Sequence, residues 1–115
     1  MNSENHGFGA CAVLANLPLE KVVQIHVAGH ERRGALCIGT HAGPIIRDVY
    51  TLLEWTLARM KPVPLLLERD NNFGDWKSIR QEVYGINSIL MCPRGASSSD
   101  DGGVYACGDS TIHRV

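Results

Sequence analysis

No apolar run in this sequence approaches the roughly 20 residues of a membrane span. Its start, MNSENHGFGACAVLANLPLEK, has neither a basic opening nor a continuous apolar core, so it does not read as a secretory signal. Charge of one sign is lacking too. Eleven Lys and Arg nearly balance 12 Asp and Glu, for a formal net charge of −1. That leaves no basic field to draw in nucleic acid. The cysteines Cys11, Cys37, Cys92 and Cys107 show no C-x-x-C spacing, which excludes a zinc ribbon and a dense disulfide framework. Reduced thiols and a cytoplasmic location are the expectation. What remains is ordinary: 115 residues, 44% hydrophobic and 20% charged, enough for one small domain.

The stretch VVQIHVAGH at 22–30 holds two histidines four apart. On a helix, His26 and His30 would share a face, as the histidines of zinc proteases do. The preceding Val22, Val23 and Ile25 are β-branched and favour a strand instead. We read 21–27 as a short buried strand that Gly29 ends. His26 then stands at its carboxyl end and His30 in the following loop.

Around it, GACAVLAN at 9–16 suits a brief helix, and Glu31 to Gly34 a polar turn. Residues 35–38 read as a second short strand and 40–44 as a loop. From Arg47 to Met60 the period changes: Val49, Tyr50, Leu53, Leu57 and Met60 fall on one face of an amphipathic helix, which Pro62 and Pro64 end. Residues 63–67 form a third apolar strand. Asp75 caps a last helix with Trp76, Ile79, Val83, Ile86 and Leu90 facing inward. After Met91 periodicity stops, and the Ser-, Gly- and Asp-rich residues 93–111 read as irregular or disordered. The organisation is thus a domain over 1–90 and a tail over 91–115.

Strands alternating with helices indicate an α/β protein with parallel strands. Strands apolar throughout are expected to be covered on both faces. Polar residues gather in the loops after the strands, where chemistry sits in such folds. His26, His41 and Glu68 would each stand at or just past a carboxyl end. Neighbouring strands lie about 4.8 Å apart, so these side chains can converge. Two imidazoles and a carboxylate suit iron, zinc or manganese.

Each residue also has a plainer role open to it. His26 could be a core histidine bonded to a backbone carbonyl, and His30 a solvated loop residue. Glu68 and Arg69 could form one surface ion pair worth about 0–1 kcal/mol. His6 and His113 read as solvated, Trp55 and Trp76 as packing residues, and Cys37 as inert core.

ENHGF at 4–8, LPLEKVVQIHVAGH at 17–30, THAGP at 40–44 and PVPLLLERDNNF at 62–73 occur together, in this order, in one family. Over roughly residues 3–90 the chain resembles the C-terminal part of the multinuclear non-heme iron-dependent oxidases, which include the methanobactin-synthesis oxidase. The resemblance implies the C-terminal portion of a (β/α)8 TIM barrel, with parallel strands and alternating helices. It implies two or three iron ions at the carboxyl face and dioxygen-dependent oxidation of cysteine-containing ribosomal precursor peptides. It also implies a small partner protein that presents the peptide. By position, His26, His41 and Glu68 resemble metal ligands. His30 and Asp70 match recurring positions suited to orienting a ligand or moving a proton. Asn5 matches a recurring position without an assigned role.

Two departures stand out. The family's Asp-x-His pair begins with aspartate, and here that position is Gly39. A full barrel takes about 250 residues, against 115 here. The expectation is a truncated, degenerate member keeping about three strand–helix segments, inactive alone and prone to self-association through open barrel edges. Two other readings stay open: a fragment that complements an N-terminal half-barrel, and a small metal-binding or interaction protein without catalysis.

Overall fold

The structure, a computed structural model, describes residues 1–91. The tail assigned to 91–115 lies outside them apart from Met91, as do Cys92, Cys107 and His113. Two short helices come first, α1 (Asn2–His6) and α2 (Ala10–Ala15), followed by a single 3-10 turn at Leu19–Lys21. Then come β1 (Ile25–Ala28), β2 (Glu31–Arg33), β3 (Leu36–Ile38), α3 (Arg47–Leu57), β4 (Leu65–Glu68) and α4 (Trp76–Met91).

β1 and β4 pair in parallel, with Ile25 opposite Leu65, His26 opposite Leu66, Val27 opposite Leu67 and Ala28 opposite Glu68. Successive side chains on a strand point to opposite faces. Ile25, Val27, Leu65 and Leu67 therefore share one face, and they pack with Leu53, Leu57, Ile86 and Ile89 of α3 and α4. His26, Leu66 and Glu68 share the other face. That face is open: Leu66 is 43% exposed. The expectation of strands covered on both faces is thus corrected, because the helices cover only one side.

A second correction concerns parallel order. Residues 35–38 do form a strand, but β3 pairs antiparallel with β2, Arg33 opposite Leu36. The polar turn expected at Glu31 to Gly34 is itself mostly strand. Gly34 has φ 60, which a two-residue hairpin loop needs and glycine adopts without a Cβ clash. The parallel sheet has two strands rather than three, and the described residues close no barrel.

The last helix begins as expected. The Asp75 carboxylate accepts a hydrogen bond from the Ser78 backbone N–H at 2.6 Å, satisfying an otherwise unpaired first-turn donor. Its inward face differs from the expectation. Ile86 and Ile89 are buried, whereas Trp76 is 71% and Val83 42% exposed. The helix is turned so that Glu82, not Val83, faces the core, and an ion pair at Glu82 holds it there. Trp55 is half-buried, with the Arg59 guanidinium 3.9 Å over its ring.

Candidate functional site

His26 and Glu68 share the open face of the β1–β4 pair, one strand across and two residues along. Their side chains meet: His26 Nδ1 lies 3.1 Å from Glu68 Oε2. The other oxygen, Glu68 Oε1, lies 3.3 Å from His41 Nδ1. One carboxylate thus faces two imidazoles, one oxygen to each. Asp70 Oδ2 lies 3.1 Å from the same His41 Nδ1.

His41 reaches this point although it follows an antiparallel hairpin rather than a third parallel strand. Its backbone is in the left-handed region, φ 49, uncommon for a residue with a Cβ. Two contacts hold it there. The Asp70 backbone N–H donates to the His41 carbonyl at 3.1 Å, and the Asp70 carboxylate faces the ring. The loop is also pressed onto the end of β1. A Cβ at Gly29 would lie 2.0 Å from the Gly43 carbonyl oxygen, so only glycine permits this approach.

Between Glu68 and Asp70 the chain turns Arg69 to the helix side. Arg69 Nη2 pairs with Glu82 Oε2, both side chains nearly buried. Glu82 Oε1 accepts the Ile45 N–H at 3.0 Å. The plainer role for Glu68 and Arg69, a mutual surface ion pair, is therefore corrected: Glu68 faces imidazoles and Arg69 faces Glu82. Sequence reading missed Glu82 because it looked for apolar residues alone. Its position three after Ile79 and four before Ile86 was the available signal.

His41, Glu68 and Asp70 offer donor atoms within 4.8 Å of one another, and His26 joins them through Glu68. At metal bonds of about 2.0–2.2 Å, two ligands of one ion stand about 3 Å apart. The imidazole–carboxylate separations match this, and the nitrogen and oxygen donors suit iron or manganese. Gly39 adds no carboxylate. A Cβ there would meet Met1 Sδ at 2.9 Å, so the Met1 side chain fills the space where an aspartate would begin.

His30 stands elsewhere. Its Nε2 lies 3.7 Å from Glu4 Oε2, and the Cys37 thiol donates to that oxygen at 3.0 Å. The thiol hydrogen bond lowers the Glu4 carboxyl below its ordinary value, with the Arg32 guanidinium acting in the same direction. The same bond, with burial, raises the Cys37 thiol. Cys37 is buried as expected, but it is not inert core: its thiol has a charged partner. Asn5 sets this contact, receiving the Cys37 N–H on Oδ1 and donating from Nδ2 to the Cys37 carbonyl, both at 2.7 Å.

A UPF0276 protein of Bordetella pertussis is 47% identical over 95 residues, covering 78% of this chain and 33% of its own length. One from Rhizorhabdus wittichii is 42% identical over 72 residues, covering 63% of this chain and 26% of its own. One from Acaryochloris marina is 32% identical over 90 residues, covering 78% and 33%. The chain thus spans about a quarter to a third of the length of these relatives. No solved structure matches it. No helix among the described residues is long and apolar enough to cross a membrane. The family model of the RiPP precursor modification enzymes MbnB/TglH/ChrH matches residues 1–91, and the chain belongs to that family.

Proposed function

We propose that this chain carries one arc of an iron site of a peptide-modifying oxidase, with His26, His41 and Glu68 as protein ligands and Asp70 beside them. The observation that carries the reading is the Glu68 carboxylate facing two imidazoles. Bound iron would supply the redox chemistry by which dioxygen oxidises a peptide. The chain's own residues do the positioning. Glu68 fixes the separation of His26 and His41, and Asp70 places a further carboxylate oxygen 3.1 Å from the same His41 Nδ1, where it would be a second oxygen donor to the ion. Family membership supports a ribosomally made precursor peptide as the substrate; the proposal adds cysteine as the residue altered and a small partner protein that presents the peptide. His30 takes no part in this arc in the geometry described, and its contact is Glu4.

A second reading, a fragment that complements further barrel segments, has its own support. Among the described residues, β1 and β4 each pair on one edge only. A cavity of about 380 Å³ beside β1 is lined mainly by apolar residues, among them Leu14, Leu17, Val22, Leu52 and Met60. Unpaired edges beside apolar surface accept further strands.

The test is anaerobic iron loading of the 115-residue chain, followed by elemental analysis and oxygen uptake with a cysteine-containing peptide. We expect iron retention that His26→Ala abolishes, and no peptide-dependent uptake by the chain alone. Two parallel strands cannot enclose a water-excluding cavity. Unchanged iron in His26→Ala would overturn the ligand assignment. Catalytic uptake by the isolated chain would overturn the view that it is one arc. Uptake restored only by an added N-terminal half-barrel would support complementation.

A further inference from the structure

The cluster of Glu4, His30 and Cys37 shares no residue with the His26–Glu68–His41–Asp70 group. It joins three separate pieces of chain: α1, the loop after β1, and β3. Its donor atoms are a thiol sulfur, an imidazole nitrogen and a carboxylate oxygen, all within 4.8 Å of one another. We infer that it is a second metal site, built for a thiophilic divalent ion of the zinc class, with Cys37 Sγ, His30 Nε2 and Glu4 Oε2 as ligands.

The separations support this. With bonds of about 2.3 Å to sulfur and 2.0–2.1 Å to nitrogen or oxygen, tetrahedral ligand atoms stand about 3.3–3.6 Å apart. Here sulfur to oxygen is 3.0 Å and nitrogen to oxygen 3.7 Å. To seat the ion, the sulfur–oxygen pair would open by about half an ångström and the nitrogen–oxygen pair would close slightly. Oxygen-only ions such as calcium and magnesium take carboxylates, carbonyls and water. A thiolate in the set selects against them and for zinc.

The surroundings are arranged for one donor from each residue. Asn5 grips both backbone polar groups of Cys37 and so fixes where the thiol points. Arg32 Nη2 occupies Glu4 Oε1 at 2.6 Å, leaving Oε2 turned toward the thiol and His30. The His30 side chain is only 11% exposed, and its Nε2 faces Glu4 Oε2. On binding, the Cys37 thiol loses its proton to water, and the Glu4 oxygen that accepted its hydrogen bond turns to the metal. The fourth position is left to water, as in sites with three protein ligands. Such an ion would clamp α1 onto the β2–β3 hairpin.

Cobalt(II) is the probe, because a thiolate bound to it gives a near-ultraviolet charge-transfer absorption that nitrogen and oxygen ligands do not. The reduced, metal-free 115-residue chain is titrated with cobalt(II), then with zinc(II). We expect a thiolate charge-transfer band that zinc(II) removes, that Cys37→Ser abolishes, and that His41→Ala leaves intact. Glu4→Gln, at a partly exposed residue where folding is not at risk, is expected to weaken cobalt binding at least about tenfold. No band in the parent chain would overturn the site. So would a band that persists in Cys37→Ser, which would place the thiolate at another cysteine, or affinity unchanged in Glu4→Gln. Loss of the band in His41→Ala would also overturn it, by showing that the two clusters are one site.

Discussion

Asp70 holds His41 at two points: its backbone N–H donates to the His41 carbonyl, and its carboxylate oxygen lies 3.1 Å from His41 Nδ1. The backbone bond fixes where the residue sits, and the side chain fixes how the ring turns. A left-handed backbone at a non-glycine residue costs about 1–3 kcal/mol and persists where its surroundings over-determine it. Asp70→Asn keeps the backbone bond and weakens the hold on the ring. We expect iron affinity to fall at least about tenfold, because the amide replaces an anionic oxygen donor that faces His41 Nδ1 beside Glu68, with the fold intact. Iron competition against a chelator, with circular dichroism as control, measures it. Affinity equal to the parent's would mean that the Asp70 carboxylate does not border the ion.

Gly39 is the position where the family carries aspartate. Gly39→Asp should raise iron retention at neutral pH, since it adds a hard oxygen donor two residues before His41. The new side chain must first push aside the Met1 side chain, whose sulfur would lie 2.9 Å from its Cβ. That is the flexible end of a long side chain, so the obstacle is small. Iron content no higher than the parent's would show that Gly39 does not border the site.

The Arg69–Glu82 pair ties the residue between Glu68 and Asp70 to the last helix. Both side chains are nearly buried, so removing one partner strands the other charge. Glu82→Ala should destabilise the fold by about 3–5 kcal/mol. It should also loosen iron binding, because Arg69 anchors the chain that carries Glu68 and Asp70. Urea unfolding of the variant gives the first quantity. A loss below about 1 kcal/mol would mean that the pair is solvated.

Burial raises the pKa of the Tyr50 phenol, and the nearby Glu82 carboxylate adds to the effect while Arg69 opposes it. The folded chain therefore favours the neutral phenol. Its contribution to stability is present below the ordinary value of 10.0 and is lost as pH rises through the raised folded value. In a spectroscopic titration, Tyr50→Phe should remove the latest-ionising tyrosine component. A late component that survives in the variant would assign the shift to another tyrosine.

The sequence by itself determined α2, α3 and α4 and located the two strands that carry His26 and Glu68, although β1 and β4 start four and two residues later than read, His26 lies inside β1 rather than at its carboxyl end, and α1 was not legible. The reason is local. β-branched and apolar runs at 22–27 and 63–67 favour strands, the 3.6-residue spacing from Val49 to Leu57 specifies a helix face, and Asp75 supplies a cap. The phrases around His26, His41 and Glu68 likewise marked the family. Tertiary structure decided what depends on pairing partners. A short strand such as 36–38 does not encode whether it joins a parallel sheet or folds back on its neighbour, and Gly34 at φ 60 settled it as a hairpin. The turn of α4 was decided by an ion pair across 13 residues, which no hydrophobic period contains. Glu4 and Cys37 lie 33 residues apart, with His30 between them in sequence. Only the packing of α1 on the hairpin, through Asn5, brings their polar atoms within reach of one another.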